Sequence, residues 1–169
     1  MSLVREAVAG QDAVLDTIGD HFPFWDSHVE AECARNVMEA MQGFHVHRLI
    51  ALSRIGEGES NSNVHTYYRY LLVPTVLHGV MKDKKEMEDE VRPSQLEWTI
   101  IRPASFIEGE PRGVCVIDET TQIRARPITR TDVARFMVDQ LRNQEYVRKI
   151  ITIGGAEQWQ REQGISQGH

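Results

Sequence analysis

The sequence has little cysteine, no long apolar run and no excess of positive charge. Its 169 residues include two cysteines, too few for a disulfide framework, which indicates a reducing compartment. No apolar run approaches the roughly 18 residues that a membrane-spanning helix needs. Lysine and arginine number 19 against 25 aspartates and glutamates, a net charge of −6. We therefore expect neither a membrane nor a nucleic-acid partner.

The composition is that of an ordinary folded domain. Hydrophobic residues make up 41% of the chain and charged residues 26%, which excludes a fully disordered protein. The first residues lack the apolar core of a signal peptide, so we expect a cytoplasmic protein. We predict one domain over residues 1–156 and a flexible tail, rich in glutamine and glycine, over residues 157–169.

Strand-like and helix-like segments alternate along the chain, which predicts an α/β fold with a parallel sheet. Helical periodicity appears around residues 29–44, 74–91 and 129–142. In the first of these helices, Ser27 and Glu30 have the spacing of a capping box and Gly43 marks the end. Its apolar stripe is predicted to be Val29, Cys33, Val37, Met41 and Phe44. The strands are predicted at Ala13–Ile18, Arg48–Ser53, Trp98–Arg102, Val114–Ile117 and Ile150–Ile153.

Several short motifs occur in a fixed order. They are Gly10-x-Asp12-Ala13-Val14, Val46-x-Arg48-Leu49, Lys84-x-x-x-Glu88, the strand Trp98-Thr99-Ile100-Ile101-Arg102-Pro103, and Ile128-Thr129-Arg130-x-Asp132-Val133-Ala134. As a set, they resemble the atypical short-chain dehydrogenase/reductases, namely the NmrA-like group and the flavin (biliverdin-IXβ) reductase-like NAD(P)-binding proteins. The resemblance covers roughly residues 3–155.

The resemblance implies a Rossmann-like parallel sheet with flanking helices and a nicotinamide cofactor, NADP or NAD. The implied function is an oxidoreductase that acts on a small organic substrate. The alternative is a non-catalytic NmrA-like regulatory or interaction protein that has lost cofactor binding. Both remain open on the sequence.

One part of the family pattern is missing from these 169 residues. Such proteins begin with a strand, a Gly-x-x-Gly-x-x-Gly turn that receives the pyrophosphate, and a helix. The nearest run here, residues 56–61, lacks the third glycine and carries two glutamates. The chain thus resembles a truncated member without its first three strands. We expect it to bind NAD(P)H weakly or not at all and to be inactive by itself, whereas the complete protein would be an enzyme.

The missing strands have a second consequence. In a doubly wound sheet the first strand is central and pairs with the fourth. Without it, Ala13–Ile18 becomes an apolar edge, and such an edge invites self-association.

The resemblance also implies five site residues, each with a plainer structural alternative. Gly19 would lie beside the adenosine half of the cofactor, or be a turn glycine with positive φ. Ser53 would lie near the nicotinamide and hydrogen-bond a substrate carbonyl, or be satisfied by local backbone. Arg102 and Pro103 would end a strand at the ligand edge; alternatively, Arg102 pairs with an acidic side chain that holds the crossover.

Lys84 would face the nicotinamide ribose, or form a surface ion pair with Glu88 one turn away. A Tyr-x-x-x-Lys pair is absent, so the proton for any reduction would come from Ser53, Lys84 or water. His45 and His47 lack further ligands at metal spacing, and we expect no metal site.

Overall fold

The computed structural model describes residues 2–19, 28–54, 78–117 and 126–156. The predictions for the run at residues 56–61, for the first residues of the helix predicted at 74–91 and for the tail at 157–169 lie outside the described residues. The helices are α1 (Ser2–Val8), α2 (Val29–Phe44), α3 (His78–Val91) and α4 (Arg130–Asp139). The strands are β1 (Ala13–Asp16), β2 (Arg48–Leu52), β3 (Glu97–Pro103), β4 (Phe106–Ile107), β5 (Val114–Ile117), β6 (Ile128–Thr129) and β7 (Lys149–Gly155).

A five-stranded sheet in the order β1-β2-β3-β7-β5 forms the centre of the fold. The first four of these strands run parallel, which confirms the α/β class and the Rossmann-like sheet with flanking helices. β5 departs from the parallel pattern, because it pairs with β7 in the antiparallel sense. β4 and β6 form a separate two-stranded parallel ribbon beyond the end of β3, which the sequence analysis did not identify because each strand has two residues.

The two faces of the sheet are covered by different helices. Leu49 and Ala51 of β2 belong to a core cluster that includes residues of α1, α2 and α3. Ile50, between them, belongs to a second cluster with Val133 and Met137 of α4. The alternation of side chains along a strand explains why a continuous apolar run was needed here, since both faces of β2 are buried.

The predicted apolar stripe of α2 is rotated relative to the buried face. Val29 is 49% exposed and Phe44 is 38% exposed, and Cys33 and Val37 are only partly buried. Of the predicted stripe, Met41 is fully buried; the buried positions of α2 are Glu30, Ala31, Ala34, Met38, Ala40 and Met41. Small alanines lie against the neighbouring elements, and the larger Val29 and Phe44 lie at the two ends, where packing is incomplete.

Both predicted ends of α2 were also wrong in detail. The N-cap residue is His28, whose side chain makes no capping hydrogen bond. Gly43 is inside the helix, and His45 adopts the left-handed conformation at its end (φ 58°). His45 donates its backbone N–H to Gln42 O, so the αL closure that glycine usually provides is supplied by a histidine here.

β1 lies at one end of the described sheet, as the sequence predicted for this strand. Leu15 is 38% exposed and Ile18 just beyond the strand is 41% exposed. The edge is thus short but carries apolar side chains that water still reaches.

We expect the 169-residue chain to self-associate through the β1 edge, because an apolar edge strand offers both backbone hydrogen bonds and apolar surface. Light scattering should show species larger than the 19.3 kDa monomer. Leu15→Lys should shift the distribution toward the monomer. The control is Val138→Lys, at a 55% exposed position on α4, which should leave it unchanged. A monodisperse wild-type monomer that unfolds cooperatively would contradict this prediction.

Candidate functional site

The carboxyl ends of β1, β2 and β3 carry buried polar residues on one face of the sheet. Asp16 ends β1, Ser53 directly follows β2, and Arg102 lies near the end of β3; all three are at least nine-tenths buried. Leu52 is in register with Ile101, so Ser53 and Arg102 are next to each other along the paired strands. This edge is where ligands of open parallel sheets bind.

Lys84 of α3 reaches this edge with its side chain. Its Nζ donates to Ile18 O at 2.9 Å, just beyond β1, and to Leu52 O at 2.8 Å, at the end of β2. Nζ also lies 2.7 Å from Oε2 of the buried Glu30 on α2. Two of the three N–H donors of the ammonium group are thus used by backbone carbonyls, and its charge is balanced by the Glu30 carboxylate. The surface ion pair with Glu88 that the sequence left open does not form.

Glu88 pairs instead with Arg102. Arg102 Nε donates to Glu88 Oε1 at 2.9 Å and Nη2 donates to Oε2 at 2.6 Å, with both side chains buried. This two-pronged contact is the alternative that the sequence analysis kept for Arg102, an ion pair that holds the crossover helix on the sheet. Pro103 follows at the end of β3 and is buried in register with Ile153.

Asp83, the residue before Lys84, caps a different helix. Its carboxylate accepts hydrogen bonds from the backbone N–H groups of Glu30 at 3.1 Å and Ala31 at 3.0 Å. These are amides of the first turn of α2, which have no partners within the helix. Asp83 thus caps these two amides, although it is more than 50 positions away in the sequence. The sequence pattern had assigned this capping to the local pair Ser27 and Glu30.

Ser53 differs from these charged residues, because its hydroxyl is unused. The backbone N–H of Ser53 donates to Ile101 O at 2.8 Å. Its Oγ is buried and has no hydrogen-bond partner among the described residues. A buried hydroxyl without a partner costs about 1–3 kcal/mol, and such groups concentrate at functional sites. Ser53 Oγ is therefore an uncharged polar atom at this edge with hydrogen-bonding capacity to spare.

The edge carries a negative local charge. Its buried carboxylates, Asp16, Glu30, Asp83 and Glu88, outnumber its buried cations, Lys84 and Arg102. Burial raises the pKa of Asp16, and the Ile18 backbone hydrogen bond and the charge of Lys84 oppose that rise. Burial, followed by four nearby carboxylates, also raises the pKa of the Cys33 thiol.

The polar groups at this edge suit the nicotinamide of a dinucleotide cofactor better than they suit its pyrophosphate. An uncharged hydroxyl at the carboxyl edge suits the nicotinamide and a carbonyl beside it. The pyrophosphate needs free cations or helix N-terminal amides; within the described residues Lys84 and Arg102 are neutralised and Asp83 already occupies the first amides of α2. Arg54, half-buried beside Ser53, has no side-chain partner in the described part of the chain.

Gly19 lies beyond β1, near the start of α2. Its φ is not positive, so the alternative explanation, a turn that requires glycine, does not apply. A Cβ built there would lie 3.6 Å from Glu30 Oε1, an ordinary contact. The structure therefore gives no steric reason for glycine at this position, and its place beside a cofactor stays a prediction.

Asp132 is a residue whose function the sequence reasoning missed, although its motif was recognised. Its Oδ2 accepts hydrogen bonds from Arg112 N at 2.8 Å and Thr129 Oγ1 at 2.8 Å, and its Oδ1 accepts one from Gly113 N at 3.1 Å. Thr129 caps α4 by accepting from Asp132 N. Asp132 thus ties the segment that follows β4 to the start of α4, which fixes the loop beyond the ligand edge.

Comparisons with known proteins show which family and which fold the chain shares. A family model described as NAD(P)H-binding matches residues 2–144. A short-chain dehydrogenase/reductase from Veillonella parvula superposes with a TM-score of 0.73 at 16% identity, over 91% of this chain and 67% of that chain. A Rossmann-fold NAD(P)-binding protein from Shigella flexneri gives 0.66 at 22% identity, over 91% and 65%.

A third solved structure is ChuY, an anaerobillin reductase from Escherichia coli O157:H7. It gives a TM-score of 0.73 at 17% identity, over 92% of this chain and 71% of that chain. At these identities the likeness shows a shared fold, and the chain spans about two thirds of the length of these proteins. Within the described residues, no group of three or more metal-ligating side chains comes together, and no helix is long and apolar enough to cross a membrane.

The Glu88–Arg102 pair yields a stability prediction. Glu88→Leu or Arg102→Met alone leaves one buried charge uncompensated, and each should lower the free energy of unfolding by about 3–5 kcal/mol. The double variant removes both charges, so its loss of unfolding free energy should be much smaller than the sum of the two single losses. Urea unfolding at neutral pH would measure all three. The exposed Lys85–Asp89 pair is the control; its Lys85→Met variant should change stability by less than about 1 kcal/mol. Additive losses in the double variant would contradict a coupled pair.

Asp132 yields a prediction about pH. Burial alone would raise the pKa of Asp132, but the hydrogen bonds from Arg112, Thr129 and Gly113, with the charge of Arg135, hold it below the usual 3.8. Such a carboxylate stabilises the fold above pH 3.8, and that contribution is lost as the pH falls through the lower folded value. Asp132→Asn should therefore cost about 2 kcal/mol at neutral pH, and less below pH 3.8. A loss that is independent of pH would contradict this.

Proposed function

Because the chain belongs to the NAD(P)H-binding family, we propose that it forms the nicotinamide and substrate side of an NAD(P)H-dependent oxidoreductase site. Ser53 is the residue that hydrogen-bonds the carbonyl group of a small organic substrate. The observation that carries this proposal is the buried, unpartnered Oγ of Ser53 at the carboxyl edge of the sheet.

The hydroxyl of Ser53 is suited to polarise a carbonyl. Its backbone is held by the bond to Ile101 O, so the Cβ is fixed relative to the sheet. A donor already oriented toward the carbonyl oxygen stabilises the charge that develops there, and removal of one such donor usually costs a factor of about 100–1000 in rate. The bound cofactor would supply the hydride, and the residues of this chain would bind and orient the substrate.

Of the three proton sources left open by the sequence, Lys84 is the least suited. Its ammonium donates to Ile18 O and Leu52 O and forms an ion pair with the buried Glu30. Transfer of one of these protons would leave a buried acceptor without its donor, which is costly in a site of low polarity. We therefore assign the proton to Ser53 or to water, and we give Lys84 no proton-transfer role.

The neighbouring Arg54 bears on the class of substrate. Its half-buried guanidinium lies directly after Ser53 and has no carboxylate partner among the described residues. A guanidinium is the side chain that best recognises carboxylate and phosphate groups. A small carbonyl compound that carries an acidic group therefore matches the pair of Ser53 and Arg54.

The second candidate function is a non-catalytic regulatory or interaction protein. The observation that favours it is the internal neutralisation of Lys84 and Arg102, which leaves the pyrophosphate without these partners. The two functions differ in one outcome, because only the first requires a nicotinamide compound to reach Ser53.

We expect NADPH and NADH to bind the 169-residue chain weakly, above the low-micromolar range, and to shift the amide signals around Ser53. NMR titration of the isotope-labelled chain with each dinucleotide at millimolar concentration would measure both the affinity and the location. Ser53→Ala should change the response of its neighbours to the cofactor.

Ser94→Ala is the matched control for this titration, because Ser94 Oγ is also buried without a partner but lies beyond α3, ahead of β3. It should leave the response intact. No shift near Ser53 at millimolar dinucleotide would favour the non-catalytic function, and low-micromolar binding would show that the pyrophosphate is held after all.

A further inference from the structure

The peptide unit between Leu52 and Ser53 is held at both of its polar atoms. Lys84 Nζ donates to the carbonyl oxygen of Leu52 at 2.8 Å. On the other side of the same peptide, the N–H of Ser53 donates to Ile101 O at 2.8 Å. Because a peptide unit is planar, two hydrogen bonds in these directions fix its plane, and with it the position from which the Ser53 side chain departs.

The group that holds the Leu52 carbonyl is itself immobilised. Lys84 is 5% exposed, and its ammonium is also bound to Ile18 O and to Glu30, which is 2% exposed. Fixing a lysine side chain costs conformational entropy. The two hydrogen bonds and the ion pair with Glu30 offset that cost and hold the ammonium in this position.

The contacts of Lys84 connect four parts of the fold near Ser53. Lys84 itself belongs to α3, and its partners are Ile18 just after β1, Leu52 at the end of β2 and Glu30 in the first turn of α2. By contrast, Ser53 Oγ has no hydrogen-bond partner within the described residues. The hydroxyl thus keeps its hydrogen-bonding capacity, and the main chain beside it is held.

We propose that Lys84 is a positioning residue for Ser53: it fixes the Leu52–Ser53 peptide and does not anchor a cofactor ribose. This inference rests on the function proposed for Ser53, but it concerns the chain without any ligand. The ribose role expected from the resemblance would draw the Lys84 ammonium toward a ligand, whereas the positioning role requires the two hydrogen bonds to Ile18 O and Leu52 O and the ion pair with Glu30 that the structure shows.

Hydrogen exchange of the ligand-free chain, followed residue by residue with NMR, tests the proposal. Lys84→Met keeps most of the apolar stem and removes the ammonium, but it strands the buried carboxylate of Glu30. A second variant, Lys84→Met with Glu30→Gln, removes that stranded charge and guards against a failure to fold. In either variant we expect the Ser53 amide to exchange at least about tenfold faster, while the protected amides of β7 keep their wild-type rates.

Lys85→Met is the matched control, since Lys85 is the next residue on α3 and its side chain is exposed beside Asp89. It should leave the Ser53 amide as in the wild type. A uniform loss of protection across the sheet would overturn the proposal, because Lys84 would then only stabilise the fold. Unchanged Ser53 protection, whether or not NADPH binds more weakly to the variant, would also overturn it.

These outcomes separate this proposal from the proposed function. If Lys84→Met affects Ser53 selectively but Ser53 never responds to a nicotinamide dinucleotide, the positioning role stands and the oxidoreductase site fails. If Ser53 responds to the dinucleotide and its amide is insensitive to Lys84, the site stands and the positioning role fails.

Discussion

The buried ammonium of Lys84 is the charge on which the carboxyl edge of the sheet depends. Its contacts connect the end of β1, the end of β2, the start of α2 and the helix α3. Removing a charge from water costs several kcal/mol unless partners compensate it. Here one carboxylate and two carbonyl oxygens provide that compensation, and each of them comes from an element that must therefore keep its position.

The helix α3 carries two opposite charges toward the sheet, one turn apart, and neither neutralises the other. Lys84 takes its counter-charge from α2 and Glu88 takes its counter-charge from β3. Asp83, beside them, caps α2 through two backbone amides. One short segment of α3 thus fixes its neighbours by three separate polar contacts, in addition to the apolar contacts of Met87 and Val91 in the core.

The sequence predicted most strands because the apolar runs that a doubly covered sheet requires are local and unbroken. It also predicted the end of α3 before Pro93, since proline cannot continue a helix. The rotation of α2 was not predictable from the apolar residues alone, because alanine carries a weak hydrophobic signal. Three alanines of α2, Ala31, Ala34 and Ala40, are at most 1% exposed, as is Met41.

The polar contacts of the site were harder to predict for a different reason. The spacing of Lys84 and Glu88 satisfies the rule for a local ion pair, and nothing nearby in the sequence indicates that both partners come from elsewhere. Glu30 and Arg102 are 54 and 14 positions from their partners. The resemblance located Ser53 and Arg102 at the correct edge, but only the three-dimensional contacts distinguish a residue that is already bonded from one that is free.

That distinction determines what the edge can offer to a ligand. The ion pairs commit the two buried cations of this edge, Lys84 and Arg102, to holding the frame. What is left is an uncharged hydroxyl on Ser53, held by its main chain, and a half-buried guanidinium on Arg54. If a ligand binds at this edge as proposed, the buried carboxylates would disfavour an anionic group near them, whereas Arg54 would attract one, so the Ser53 hydrogen bond and the Arg54 charge would act on different groups of the ligand.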